Sequence, residues 1–97
     1  MVNHVELSAC IAEVSSMRYT PAGLPALDLW LEHESKVEEV GQQRQVKANV
    51  RSIALGHVAE RLVSQKLGSV WRFTGFIASA RNSKLLVFHI QDFQPIS

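Results

Sequence analysis

A single cysteine, Cys10, stands in 97 residues, so neither an internal disulfide framework nor a cysteine metal cluster can form. That usage fits a reducing compartment, with Cys10 a small core or near-core residue. The opening MVNHVELSAC has no basic stretch leading into a long apolar run, so no secretory signal is expected. No uncharged run approaches the ~20 residues that would span a bilayer. These absences point to a soluble cytoplasmic domain with no membrane association.

Catalytic signatures are missing too. There is no HExxH, CxxC, Walker or dinucleotide fingerprint. Ser8, Ser52, Ser64 and Ser79 have no nucleophile setting. His33 lies between Glu32 and Glu34, but strand alternation turns both carboxylates to its opposite side. His57 and His89 are separated from it by whole elements. The expectation is a protein that is not an enzyme and takes no cofactor or metal.

What is present argues for one domain over residues 1–97, able to bury about 60–70% of its unfolded surface. The net charge is only +1, but it is unevenly spread. Residues 1–43 carry 2 basic and 7 acidic side chains, whereas residues 44–84 carry 8 basic side chains against Glu60 alone. Local field, not total charge, is what attracts a phosphate chain.

Hydrophobic alternation predicts a first strand over Asn3–Val14, irregular near Cys10–Glu13, where a bend or bulge is expected. The segment MRYTPAGLPA reads as a surface loop, with Gly23 bracketed by Pro21 and Pro25. Ala26–Glu34 is the clearest strand, Leu27, Leu29 and Leu31 facing one way and Asp28, Trp30 and Glu32 the other. An outward Trp30 covers a loop or a partner subunit, or stacks a ligand, unless the two faces are inverted. The polar Ser35–Gln43 reads as an exposed, mobile hairpin loop.

Arg44–Leu55 is the third strand. Val46, Ala48 and Val50 form an apolar row expected in the core, and Lys47, Asn49 and Arg51 form the outer row. Ile53 and Leu55 fall on the wrong parity, so a bulge or corner is expected at Ser52–Ile53. Helical spacing and a terminal glycine predict a helix over Gly56–Gly68, packed on the strands. Val70–Ser79 and Leu85–Phe93 are the fourth and fifth strands, apolar on both rows in part, which suggests a subunit interface. Gly75 marks a bend or a close backbone approach. Three strands, a helix and two strands predict an all-β, five-stranded OB-fold barrel with one short helix between its third and fourth strands. An SH3-like or mixed α+β sheet is the alternative.

A nonspecific single-strand binder needs cations that follow the backbone and planar groups for the bases. Arg44, Lys47, Arg51, Arg72, Arg81 and Lys84 supply candidate cations, of which those on the third strand and the turn between the fourth and fifth can border one groove; Tyr19 and Trp30 are the candidate stacking groups. The run Glu38–Glu39 reads as a solvated loop that repels DNA locally.

In order along the chain, Val5–Leu7–Ser8, the PAGLP turn, LEHES at 31–35 with the following VEEVGQQRQ, IALG at 53–56 and GFIAS at 75–79 resemble the primosomal replication protein N (PriB) family of bacterial replication restart. The resemblance implies a homodimer of barrels related to single-strand DNA-binding proteins. It also implies non-sequence-specific binding of single-stranded DNA, contact with the restart helicase PriA and, in some bacteria, with the loader DnaT. An aromatic in the family's third strand corresponds to Lys47, and another just before it falls near Gln43. The family's basic loop maps onto Arg81 and Lys84, shortened and without a middle lysine. Weaker, more electrostatic DNA binding is the expectation. Competing readings are a mainly protein-interaction adaptor and a small general single-strand binder, the latter disfavoured by the lack of a long Gly/Pro-rich tail with an acidic end.

Overall fold

The computed structural model describes residues 1–96. Its elements are β1 (Val5–Val14), a two-residue β2 (Arg18–Tyr19), β3 (Pro25–Glu39), β4 (Gln42–Leu55), α1 (His57–Val63), β5 (Val70–Ser79) and β6 (Leu86–Gln94). The sheet order is β1-β5-β6-β4-β3-β2, and an additional β1–β3 pairing closes the five long strands into a barrel. β2 is a short edge ribbon on β3, drawn from the segment expected to be only loop.

β1 serves two sheet edges. Val5–Cys10 pairs with β5, and Cys10–Val14 pairs with β3, with a register shift between Ile11 and Glu13. The bulge expected at Cys10–Glu13 is what turns the strand across the barrel end. β4 and β6 run parallel through Ser52↔Phe88, Ile53↔His89 and Ala54↔Ile90. That short contact completes the closure.

The core is built from inward rows. Leu27, Leu29 and Leu31 of β3 are buried, as are Ile11, Phe73, Phe88, Ile90 and Phe93. Each large side chain removed from water contributes about 1.5–3 kcal/mol. β4 departs from the expected pattern. Its register with β3 is continuous from Leu55 to Gln42, with no bulge, so Ile53 and Leu55 stay outside and Ser52 takes the core position. The Ser52 hydroxyl is satisfied by the Val50 carbonyl at 3.1 Å, which lets a polar group sit there. Of the expected inner row, Val46 and Ala48 lie beyond the barrel; only Val50 approaches the core.

The Ser35–Gln43 segment is not a loop. β3 and β4 continue to a two-residue turn at Val40–Gly41, with φ of 51° and 73°, between the paired Glu39 and Gln42. Positive φ at both central residues is what a tight right-twisted hairpin requires. The hairpin therefore projects from the barrel, and the molecule is 50 Å long but 21 Å thin.

The helix is shorter than expected. α1 ends at Val63, and Ala59 and Leu62 are its buried residues. Beyond it the backbone is taken by β1: Gly68 N–H donates to the Ile11 carbonyl at 2.7 Å, and Ile11 N–H to the Ser69 carbonyl at 3.0 Å. A strand-like exchange with Ile11 competes with further helical bonds and wins. Arg61 fastens α1 to the end of β6, over the Phe93 ring at 4.4 Å and on Asp92 at 3.1 Å.

Candidate nucleic-acid interface

The register of β3 and β4 fixes which side chains meet on the outer face. The outward pairs are Asp28↔Ile53, Trp30↔Arg51, Glu32↔Asn49, Glu34↔Lys47, Lys36↔Gln45 and Glu38↔Gln43. Side chains directly opposite in an antiparallel pair stand about 4.5–5.5 Å apart at Cβ. Trp30 is on the outside as expected, 42% exposed, with Arg51 beside it. Together with Glu13, Val14, Ser15, Asp28 and Leu29 they line an open cleft of about 410 Å³. A planar ring next to a guanidinium can receive a base on one and a phosphate on the other.

A larger groove of about 490 Å³ opens where β1 and β3 part, lined among others by Ser8, Cys10, Glu32, Glu34, Lys47, Asn49 and Val70. The His33 ring bridges this opening. Its Nδ1 lies 2.7 Å from the Ser8 carbonyl and its Nε2 2.8 Å from Ser35 Oγ. A carbonyl only accepts, so Nδ1 carries the hydrogen and donates it to Ser8. The partners are structural ones, a strand carbonyl and a hydroxyl.

The predicted cations do not form one row. Arg44 has the parity of Val46 and Val50, hence the opposite face of the hairpin from Lys47, and its guanidinium is held by Glu39 at 2.7 Å. Arg72 lies on β5, paired to Glu6 at 3.3 Å and donating to Gln94 at 2.9 Å. Among the described residues Lys47, Arg51, Arg81 and Lys84 have no carboxylate within ion-pair distance. Arg81 and Lys84 occupy the exposed β5–β6 turn. Because β6 begins beside the middle of β4, that turn lies at the barrel end from which the hairpin projects. Tyr19, 69% exposed, is at the opposite end, where Arg18–Tyr19 pairs with Pro25–Ala26.

Antiparallel pairing also brings acidic and basic stretches of the chain side by side. β3 carries five of the seven acids of residues 1–43, and it lies directly against basic β4. Asp28, Glu32, Glu34 and Glu38 therefore flank the outer row of Lys47 and Arg51. Three of these acids are engaged, Glu32 by the Cys10 thiol at 3.8 Å. Arg18 donates to Asp28 through Nε at 2.8 Å and Nη2 at 3.2 Å, which also raises the arginine above its ordinary range. Gln45 donates to Glu34. Arg18 was not among the sequence candidates; only the register reveals that it offsets the acid beside Trp30.

A closed five-stranded barrel with a single helix between β4 and β5 is the OB-fold, whose β3–β4 face and flanking loops form the usual ligand surface. Residues 3–92 match a family model described as another single-strand binding protein family. The replication restart protein PriB of Bordetella pertussis is 43% identical, over 99% of this chain and 91% of that protein. PriB of Nitrosomonas europaea is 40% identical, over 93% and 84%. The crystal structure of PriB from Ralstonia solanacearum superposes with a TM-score of 0.88 at 34% identity, over 98% of both chains. The single-stranded DNA-binding protein of Thermus aquaticus superposes with a TM-score of 0.76 at 27% identity, over 99% of this chain and 50% of that one. The chain belongs to the single-strand binding protein family and, within it, to the replication restart protein PriB family.

Proposed function

We propose that this chain is an accessory protein of the replication restart primosome that binds single-stranded DNA without reading its sequence. It acts in the cytoplasm as a homodimer, performs no catalysis, and recruits or stimulates the restart helicase PriA, with DnaT a further partner. Family membership supports the process. The observation that carries the DNA-binding reading is the Trp30–Arg51 pair on the outer β3–β4 face, with the unpaired Lys47, Arg81 and Lys84 toward one barrel end. Lys47 contributes charge where the family offers a ring, so binding is weaker and more electrostatic. Base stacking is worth about 1–3 kcal/mol per base, and that part is reduced.

Titration of labelled single strands at two salt concentrations tests this. Wild type binds at micromolar concentration or tighter in low salt and loses affinity steeply as salt rises. Lys47→Ala and the double Arg81→Ala/Lys84→Ala form each weaken it severalfold. An affinity indifferent to salt and to all three substitutions would sink the reading. A mainly protein-interaction adaptor is favoured by one observation, the carboxylates of β3 interleaved with the cations of β4. Helicase stimulation that survives loss of DNA binding in these variants selects it.

A further inference from the structure

The Phe76 and His89 rings face each other across β5 and β6 and stack nearly parallel, with centroids 4.7 Å apart and planes 12° apart. They stand on the outside of the barrel, since the neighbouring Gly75 and Ile90 pair on the buried inner row. Both rings are half-buried. On the other flank of β6, the parallel pairing puts the outward Ile53 opposite His89. Two residues back along β4 is Arg51, with Trp30 across from it on β3. The turn joining the two ring-bearing strands carries Arg81 and Lys84.

We propose that the Phe76–His89 pair is a base-stacking platform, and that a single-stranded nucleic acid crosses the barrel from Trp30–Arg51 over Ile53 to these rings. The inference rests on the reading of the chain as a single-strand binder and adds a path and two residues to it. Charge decides the direction. Along the β3–β4 hairpin a polyanion would run beside Glu32, Glu34 and Glu38. Across β4, β6 and β5 it leaves them behind. The only carboxylate within β5 and β6 is Asp92, and Arg61 already holds it. Among the described residues Arg51, Arg81 and Lys84 are all unpaired; Arg51 stands at the start of the apolar crossing, and Arg81 with Lys84 lies in the turn beyond Ser79↔Leu86, three rungs along the strands from the ring pair. That placement of charge around planar rings fits a polyanion with bases rather than a second copy of the chain. From β3 to β5 the crossing covers three inter-strand steps, about 14 Å. The mutual stack also fixes both rings before any base arrives, so little rotamer freedom is lost on binding.

The test uses fluorescence anisotropy with a labelled oligothymidine and an equally long abasic strand at low salt. Wild type binds the thymidine strand at least fivefold more tightly than the abasic one. Phe76→Leu/His89→Leu, which keeps apolar bulk but removes both rings, weakens thymidine binding at least fivefold and leaves abasic binding unchanged. Equal thymidine affinity for wild type and double variant overturns the platform while leaving single-strand binding intact. Absence of any binding by wild type overturns the underlying reading as well. An altered sedimentation coefficient for the variant with unchanged affinity per copy makes this face an interface between copies, and also overturns the platform. Should the double variant not fold, photocrosslinking of unaltered protein to a 5-bromodeoxyuridine strand decides: adducts on β5 or β6 support the platform, adducts confined to β3 and β4 exclude it.

Discussion

Gly75 is the one glycine at which an added side chain would meet neighbouring atoms. A Cβ there would sit 1.8 Å from the His89 carbonyl oxygen, a backbone atom that cannot swing aside. The position coincides with the register shift between Thr74 and Gly75, where β6 carries the extra residue Gln91 and bulges against β5. Gly75→Ala is expected to cost about 3 kcal/mol, read as a lower urea midpoint. Retention of wild-type stability would mean that the two strands are not this close. The Arg61–Asp92 pair gives a milder, pH-dependent effect. A hydrogen bond from Arg61, aided by one from the Phe93 backbone, holds the Asp92 carboxyl below its ordinary range. A depressed carboxyl stabilises the fold above its unfolded pKa and loses that contribution as pH falls through the folded value. Because the pair is exposed it is worth at most about 1 kcal/mol. Comparing Asp92→Asn with wild type should therefore show a small deficit at pH 6 that begins to shrink only below about pH 4 and disappears as pH falls through the lowered folded value. A deficit that persists in acid would assign it to something other than the carboxylate's charge.

At the scale of elements, the β3–β4 hairpin sets the shape of the molecule and ends in an unfavourable residue. Val40 is β-branched, 96% exposed, and held at φ 51°. Such residues adopt that region at a cost of about 1 kcal/mol or more. Val40→Asn creates the Asn-Gly pair that two-residue hairpins favour and should stabilise the protein by about 1 kcal/mol in urea. No gain would indicate that the tip frays and stores no strain.

This hairpin also marks a limit of what could be read from the chain. The rows of β3 and the bend in β1 were legible because leucines alternate and then stop alternating. The hairpin was not, because Ser35–Gln43 is polar on both faces and its pairing is exposed on both faces. Polarity there reported solvent, not loop. The same ambiguity affected β4. Ile53 and Leu55 looked like core residues that had slipped, whereas the strand stays in phase and buries Ser52 instead. The helix was overdrawn for another reason: its last residues have helical spacing, but a long-range exchange of Gly68 and Ser69 with Ile11 takes the chain out of the helix. No local pattern encodes that partner.

For the molecule as a whole, the arrangement of charge is what the sequence concealed. Two segments of opposite charge become adjacent strands, so that acids and cations alternate across one face. Of six predicted DNA-binding cations, Arg44 and Arg72 are held by carboxylates and the other four are not. Candidate residues could be chosen by type from the chain; their partners required the register. Exposed ion pairs are weak, yet a guanidinium already facing a carboxylate presents less net field to a phosphate.

The central claim is that the four unpaired candidate cations, Lys47, Arg51, Arg81 and Lys84, carry the phosphate contacts. The most direct test is the salt dependence of single-strand affinity for wild type, Lys47→Gln/Arg51→Gln and Arg44→Gln/Arg72→Gln. Each phosphate contact contributes about 0.7 to the slope of log affinity against log salt for single strands. The first pair of substitutions should flatten the slope by about 1.4, and the second should leave it close to wild type. A wild-type slope in Lys47→Gln/Arg51→Gln, with the loss appearing in Arg44→Gln/Arg72→Gln instead, would contradict the account.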